Sequence, residues 1–152
     1  MYDIAIIGGG PGGYAAALYA HNFGLSVALV EKERVGGTCL LKGCIPAKAW
    51  IESAAVYSTV AGAAKFGVIV PEPEFSWPRA LERKQMIVEG LVEGLSGLLG
   101  SRGVDVIEGF GRISGAGEVA VTKTDGTESR RRELRLFKTG RGGDGPSGDG
   151  QR

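Results

Sequence analysis

Residues 4–31 read IAIIGGGPGGYAAALYAHNFGLSVALVE, and the fold class can be predicted from them. Its first four residues form a short apolar run bounded by glycines, as expected of a buried parallel strand. A glycine-rich turn leads into a predicted helix over residues 14–23, which Gly24 ends. A second predicted strand, residues 26–30, closes on Glu31. Strand, helix and strand within about thirty residues make a βαβ unit, so we predict an α/β fold with a central parallel sheet.

Three glycines of the turn, Gly8, Gly10 and Gly13, have the G-x-G-x-x-G spacing of a dinucleotide-binding fingerprint. In that fingerprint the glycines permit a tight turn, a close approach of the backbone to a pyrophosphate, and close packing of helix on strand. The following helix N-terminus favours phosphate, and Glu31 is placed to accept hydrogen bonds from a ribose diol. The alternative is a glycine-rich turn in a domain that binds no nucleotide, with Glu31 a solvated charge. Because strand, helix and acid all occur in the required order, the sequence favours a Rossmann-like nucleotide-binding domain.

The amino-acid composition limits the classes of function that the chain can have. The chain has 152 residues, 43% hydrophobic and 23% charged, with a net charge of +1. The balance of charge predicts binding neither to nucleic acid nor to an anionic membrane, and no apolar run reaches the roughly 18 residues of a membrane span. No basic region precedes the first apolar run, so we expect a cytoplasmic location. In that reducing compartment a permanent disulfide is disfavoured, whereas a catalytic one is allowed.

Glycine is over-represented, with 27 residues in the chain. Six of these glycines fall within residues 140–150, a stretch with almost no apolar side chains. Such a composition cannot bury a core. We therefore predict one folded domain over residues 1–137, incomplete relative to the family that it resembles, and a glycine-rich disordered tail over residues 138–152.

Two further helices are predicted between the βαβ unit and the C-terminal strands. The first covers residues 47–64, with Pro46 near its start. The second follows a proline-rich loop, begins after Ser76 as N-cap and has Pro78 in its first turn. Its apolar stripe is expected to pack on the preceding helix, with a coiled coil as the alternative. The stripe consists of Trp77, Leu81, Val88, Leu91, Leu95 and Leu98.

Beyond residue 104 the periodicity becomes that of strands. Strands are predicted at residues 104–107, 109–113, 119–122 and 133–137, the last two flanking a loop that contains Asp125 and Gly126. The pattern predicts a small β-meander. The basic run Arg130–Arg131–Arg132 is interpreted as a solvated hairpin end.

Cys39 and Cys44 are the only cysteines, and His21 the only histidine, to which no role is given. In a regular α-helix, residues five apart are separated by about 7.5 Å along the axis, whereas a disulfide needs Cα atoms within about 7 Å. If the cysteines are bonded, their segment must be a loop or a distorted helix. Gly43 supplies backbone freedom, and Pro46 disfavours a helical residue before it. Two thiolates alone lack the further ligands of a zinc site, so no metal is expected. Spacing alone leaves two inert thiols and a reactive pair equally open.

Residues 36–48, GGTCLLKGCIPAK, resemble the redox-disulfide signature of the flavin-dependent disulfide reductases, the class I pyridine nucleotide-disulfide oxidoreductases. The signature follows a flavin-type GGGPGG turn and the acidic Glu31, and the resemblance covers roughly residues 1–137. Ile45 favours the branch that oxidises dihydrolipoyl groups, because mercuric and glutathione reductases tend toward valine there. Ala47 stands where serine is common. Leu41 and Lys42 depart from a common Asn-Val pair, which leaves the branch slightly open.

The resemblance implies a site. Cys39 and Cys44 would form a redox-active disulfide, with Cys44 the flavin-facing, charge-transfer sulfur and Cys39 the sulfur that exchanges with the substrate dithiol. Lys48 would stand near the flavin and help set its electronics; in the absence of the motif it would be a solvated lysine. The implied FAD-binding residues are Gly8, Gly10, Pro11, Gly13, Glu31, Lys32, Gly36, Gly37, Thr38, Cys39, Lys48 and Gly111.

The resemblance also implies an oxidoreductase with partners. Electrons would pass from a dihydrolipoyl-bearing protein or a small dithiol to FAD, and then to NAD in the full-length family, which is homodimeric and can join 2-oxo acid dehydrogenase complexes. This sequence lacks a second G-x-G-x-x-G and the C-terminal His–Glu pair, so we expect no turnover from the chain alone. We hypothesise a truncated or frameshifted relative whose native sequence ends near Arg135. The alternatives are another flavin disulfide reductase, or a non-catalytic FAD-binding or interaction fragment.

Overall fold

The computed structural model describes residues 2–123, 126–132 and 136–138. Its helices are α1 (Pro11–His21), α2 (Gly37–Leu41), α3 (Cys44–Ala61) and α4 (Trp77–Ser101), and a 3-10 turn spans Ala63–Phe66. Its strands are β1 (Ile4–Ile7), β2 (Val27–Glu31), β3 (Asp105–Glu108), β4 (Phe110–Gly115), β5 (Glu118–Thr122), β6 (Glu128–Arg132) and β7 (Leu136–Lys138). None of the helices in these ranges is long and apolar enough to span a membrane.

A parallel sheet with the order β3-β2-β1-β7 forms the centre of the fold. Residues 27–30 of β2 are all buried, which explains why that strand is a continuous apolar run rather than an alternating one. On one face, Leu29 packs with α1 and α4 in a cluster that includes Ala17 and Leu99. On the other face, Val30 packs against Val119 and neighbouring residues of β5. The predicted α/β fold with a central parallel sheet is confirmed.

The first βαβ unit matches the prediction, with shifted helix ends. α1 begins at Pro11, three residues earlier than predicted, because proline is well tolerated in a first turn. The helix ends at His21, and the left-handed turn at Gly24 (φ 72°) follows it. Since the turn feeds directly into α1, the N-terminus of this helix lies at the carboxyl end of β1.

The long helix α4 begins after Ser76 as predicted and packs on α3, but only Val88 and Leu95 of its predicted apolar stripe face the core. The buried residues are Ala80, Val88, Val92 and Leu99, while Leu95 packs partly buried against the core. Trp77, Leu81, Leu91 and Leu98 are 69%, 42%, 44% and 42% exposed. The helix contacts α3, α2, α1 and β3. Because it packs against all four elements, its buried face is offset by about one residue from the predicted stripe. The side chain of Ser76 makes no capping hydrogen bond.

The C-terminal strands form a three-stranded antiparallel sheet, β4-β5-β6, so a meander is present with different members. β3 belongs to the parallel sheet, where it pairs with β2, and the chain leaves that sheet at Gly109 (φ 149°). Besides β4, β5 pairs with Glu128–Arg132, so the arginine run lies in a strand rather than at a hairpin end.

Residues 136–137 of the fourth predicted strand lie instead in β7, parallel to β1 with Ile6 opposite Phe137. The apolar segment 136–138 therefore pairs with the edge of β1, and the polar segment Glu128–Arg132 pairs with β5. Residues 133–135, and Asp125 of the predicted loop, lie outside the described residues. Lys138, the first residue of the predicted tail, ends β7, and residues 139–152 are also outside the described part of the chain.

Candidate cofactor and thiol site

A cleft of about 860 Å³ opens at the carboxyl ends of β1 and β2. Three chain segments line it: the glycine-rich turn, the loop and helix that follow β2, and the beginning of β4. In doubly wound α/β folds, ligands bind beyond the carboxyl ends of the strands. The predicted residues that line this cleft are Gly8, Gly10, Pro11, Glu31, Lys32, Gly37, Thr38, Cys39 and Gly111.

The glycine-rich wall is held by backbone contacts. Gly8 has a φ of 105°, and its amide donates to the carbonyl of Val30 over 2.8 Å. Gly13 is buried within α1, as expected of the glycine that permits close packing. Gly37 lies against Gly10 so closely that a Cβ on Gly37 would stand 2.7 Å from the Gly10 Cα. Because no side chain fits between the two loops, the wall presents bare backbone, which is what a pyrophosphate requires.

Glu31 ends β2 and lines the cleft half-buried. Its Oε2 accepts the amide of Gly9 over 2.7 Å, and its Oε1 accepts the amide of Glu33 over 2.9 Å. An ionised carboxylate has about four lone-pair positions, so two bonds leave acceptor capacity. The role of Glu31 as a ribose ligand remains a prediction.

The segment between the cysteines breaks the helix. Cys39 lies in α2, Cys44 is the first residue of α3, and Gly43 between them has φ −124° and ψ −106°. A Cβ on Gly43 would stand 3.0 Å from the Thr38 carbonyl oxygen and 3.6 Å from the Cys39 Cα. The predicted alternative to a regular helix is therefore present. Ile45, however, is helical, because Pro46 is accommodated in the first turn of α3.

The two cysteines lie side by side as free thiols, with Cys39 half-buried and Cys44 exposed. A hydrogen bond between the two thiol groups raises the pKa of Cys39; partial desolvation and the negative charge of an ionised Cys44 act in the same direction. A backbone hydrogen bond with Cys44 and, more weakly, the positive charge of Lys48 act in the opposite direction and lower the pKa of Cys39. The two thiols are thus close enough to react with each other, while the disulfide between them stays a prediction.

Four predicted site residues lie outside the cleft lining: Gly13, Gly36, Cys44 and Lys48. Lys48 is exposed on α3, one helical turn beyond Cys44. Gly36 is buried with a φ of 111°, and its amide donates to the carbonyl of Gly9 over 2.7 Å. Cys39 rather than Cys44 reaches the cleft, and the division of roles between them rests on the family resemblance.

The beginning of β4 forms the third wall of the cleft and crosses the ends of β1 and β2. The amide of Gly109 donates to the carbonyl of Glu31 over 2.9 Å. A Cβ on Gly111 would stand 3.0 Å from Val30 Cγ1 and 3.2 Å from Ile7 Cγ2. The glycine therefore lets β4 lie close against the parallel sheet, and its backbone faces the cleft beside Arg112.

Several charged residues at the cleft were missed from the sequence: Glu33, Arg34, Lys42 and Arg112. Lys42 bonds Glu33 over 2.8 Å and lowers the pKa of that carboxyl group. Arg34 forms a two-point pair with Glu89 of α4, at 2.9 and 2.6 Å, which raises the pKa of the arginine. Only Lys42 lies within a motif segment, residues 36–48, and the pairing of side chains that are far apart in the sequence has no local pattern.

The histidine is separate from the cleft. His21 ends α1 and does not line the cleft. Over the described ranges, no group of three or more histidine, cysteine or acidic side chains is arranged to hold a metal ion.

Parallel sheet, bare glycine turn and terminal acid together define the class of dinucleotide-binding α/β proteins. Comparison of the sequence with known proteins is more specific. Residues 2–132 match the family described as pyridine nucleotide-disulphide oxidoreductase, and the chain belongs to this family of flavoprotein oxidoreductases.

Individual relatives point the same way. The chain is 50% identical over 121 residues to dihydrolipoyl dehydrogenase of Acholeplasma laidlawii, covering 79% of this chain and 36% of that protein. It is 43% identical over 135 residues to dihydrolipoyl dehydrogenase of Bacillus subtilis, covering 84% of this chain and 28% of that protein. The solved structure of LpdA from Mycobacterium tuberculosis superposes with a TM-score of 0.78 at 27% identity, over 89% of this chain and 30% of that one. The chain thus spans about a third of the length of these relatives.

Proposed function

We propose that this chain is the FAD-binding part of a dihydrolipoyl dehydrogenase-like flavoprotein in which Cys39 and Cys44 alternate between dithiol and disulfide. The observation that carries the proposal is the position of Cys39 on the same cleft as the glycine turn and Glu31. A nucleotide held by that turn would therefore share the cleft with a thiol.

Each wall of the cleft supplies one kind of contact for FAD. The bare backbone of Gly8, Gly10 and Gly37, with the start of α1, suits the pyrophosphate. Glu31 suits the adenosine ribose, flanked by Lys32, and the backbone of Gly111 suits the adenine. When bound, the flavin supplies an acceptor for two electrons.

The cysteine pair would carry out a balanced exchange with a dithiol. One substrate thiolate attacks the Cys39 sulfur, which breaks the Cys39–Cys44 bond and releases Cys44 as a thiolate. The second substrate thiolate then attacks its own sulfur of the mixed disulfide and releases Cys39. The substrate leaves as a disulfide and its two electrons reside on the protein sulfurs, while its two protons have passed to a base or to solvent as the attacking thiolates formed.

The charges around the pair fit this role. The mutual hydrogen bond that raises the pKa of Cys39 holds the reduced pair together, and the positive charge of Lys48 opposes it and favours a thiolate. Glu33 and Lys42 lie at the same cleft in an ion pair. In our proposal the exposed Cys44 is the sulfur released first.

The whole reaction needs more than this chain. We infer that NAD reduction, and the base that would accept the dithiol protons, belong to the portion of the relatives that this chain does not span. The dihydrolipoyl-bearing partner, the homodimer, attachment to 2-oxo acid dehydrogenase complexes and a cytoplasmic location are proposed on the same resemblance. Turnover with NAD by the chain alone is not expected.

Reconstitution with FAD tests the proposal. The purified chain is incubated with FAD, passed through a desalting column and examined by visible absorption and by circular dichroism. We expect flavin absorption to elute with folded protein at close to one FAD per chain. A folded protein that elutes colourless would overturn the proposal.

A further inference from the structure

Gly9 is held on both sides by groups that lead to different parts of the site. Its amide donates to Glu31 Oε2 over 2.7 Å, and its carbonyl accepts the amide of Gly36 over 2.7 Å. Gly36 immediately precedes α2, the short helix that carries Cys39. A continuous chain of hydrogen bonds thus leads from the acid at the end of β2, through the glycine turn, to the cysteine helix.

The side chain of Glu31 lies flat against Gly9. A Cβ on Gly9 would stand 3.2 Å from the Cβ, the Cγ and the Oε2 of Glu31. This distance is tight for real contacts, so an added methyl group would displace the carboxylate that holds the Gly9 amide. Gly9 is not among the residues with positive φ, and the need for glycine here comes from this contact and not from backbone strain.

Glu31 is fixed from the other side as well. Its Oε1 accepts the amide of Glu33 over 2.9 Å, and its own carbonyl accepts the amide of Gly109. The two N–H donors bond different oxygens of the carboxylate, so glutamine in the same position would present its own N–H groups to one of them. Both oxygens of the Glu31 carboxylate therefore accept hydrogen bonds from the protein itself, independently of any ligand.

We propose that Gly9 and Glu31 form a joint that positions the cysteine helix α2, so that Glu31 acts on Cys39 through Gly9 and Gly36. Glu31 is then a positioning residue for the thiol pair as well as a candidate ribose ligand. This inference rests on the proposed function, because it assigns the joint to the same thiol chemistry.

The test measures the thiols without FAD, and so separates this proposal from the cofactor assignment. The full chain is equilibrated in glutathione redox buffers, and the fraction of Cys39–Cys44 disulfide is read by mass spectrometry after alkylation. We expect Gly9→Ala to shift the equilibrium constant of the pair by about fivefold, the lower range of coupling between linked sites. Gly94→Ala is the matched control, since a Cβ there meets nothing within 4 Å, and it should leave the constant unchanged.

A second variant keeps the proposal falsifiable if Gly9→Ala does not fold. Glu31→Gln preserves size and must lose one of the two amide bonds, so it should shift the same constant, with Glu82→Gln on α4 as its control. An unchanged constant in a folded Gly9→Ala or Glu31→Gln protein would overturn the joint, whatever the affinity for FAD. Loss of FAD binding with a wild-type constant would likewise count against it, because Glu31 would then act on the ligand only.

Discussion

On the wall of the cleft formed by Gly8, Gly10 and Gly37, backbone atoms make the contacts, whereas around Cys39 side chains make them. The glycine wall is fixed by left-handed residues and by approaches that leave no room for a Cβ. The thiol wall depends on a helix break at Gly43, a hydrogen bond between two thiols and the charge of Lys48. The first wall has no room for an added side chain at Gly37, whereas the pKa of Cys39 on the second wall depends on individual side chains. Substitutions on the two walls should therefore differ in size and in kind.

The largest effect is expected from Gly37→Ala. Its φ of 58° is left-handed, and the new Cβ would stand 2.7 Å from the Gly10 Cα. We expect the free energy of unfolding to fall by about 1–3 kcal/mol from backbone strain alone, and FAD affinity to fall at least about tenfold because the two loops must separate. Chemical denaturation and fluorescence titration with FAD measure the two quantities.

The control for this change is Gly94→Ala in α4, where an added Cβ meets nothing within 4 Å. It should stabilise the chain by up to about 1 kcal/mol through helix propensity and leave FAD affinity unchanged. Equal affinities for the Gly37→Ala and wild-type chains would show that the glycine wall does not hold the nucleotide.

A smaller effect is expected at Gly43, the helix break between the two cysteines. The Gly43→Ala methyl group would press on the Thr38 carbonyl oxygen at 3.0 Å, and relaxing this contact should cost about 1 kcal/mol of stability. Because the contact lies between the cysteines, disulfide formation in a glutathione buffer should slow severalfold while FAD affinity stays close to wild type. Gly97→Ala, an open helical site, is the matched control. Unaltered disulfide kinetics would argue that the helix break does not set the approach of the thiols.

Lys48→Met tests the electrostatics of the thiol wall. The positive charge lowers the pKa of Cys39, so its removal should raise that pKa and reduce the thiolate fraction at any fixed pH below it. Alkylation of Cys39 by iodoacetamide at pH 8 should slow by about twofold, because an exposed charge is partly screened by salt. Cys44→Ala should act in the opposite direction, since it removes the hydrogen bond that raises the pKa.

The pH profile of alkylation, read by peptide mass spectrometry, locates both shifts, and Lys84→Met on α4 is the control. Identical profiles for the Lys48→Met and wild-type chains would remove Lys48 from the thiol site.

The smallest effect is expected from Lys42→Met. The Lys42–Glu33 pair is 2.8 Å long, but its side chains are 65% and 48% exposed. Exposed pairs of this kind contribute little to stability. We expect no measurable change in the denaturation midpoint, and only a weaker salt dependence of FAD association. A large loss of stability would mean that the pair does more than the geometry supports.

The two walls also differ in how well the sequence predicted them. Gly8, Gly10 and Glu31 lie at the cleft as predicted, because a turn that requires glycine leaves a local pattern in the sequence; their roles as ligands stay predictions. The same reasoning placed the parallel sheet and the start of α4 after Ser76.

Features that depend on distant neighbours were missed. The pairing of Lys42 with Glu33 and of Arg34 with Glu89 has no local signature. The buried face of α4 is set jointly by α1, α2, α3 and β3, so the apolar stripe of the isolated helix selected exposed leucines. The strand after β5 was misplaced for the same reason, because the free edge of β1 selected Leu136–Lys138.

Exchange of electrons between the cysteine pair and a flavin held in the same cleft can be observed in an anaerobic titration. The FAD-loaded chain is titrated with dihydrolipoamide while its visible spectrum is recorded, beside Cys39→Ser and Cys44→Ser. We predict that wild type consumes one dithiol per chain and gains a long-wavelength absorption during the titration, whereas the spectra of both variants, which also bind FAD, do not change when dithiol is added. An unchanged wild-type spectrum, or the same response from Cys39→Ser and Cys44→Ser, would show that the cysteine pair does not exchange electrons with the flavin.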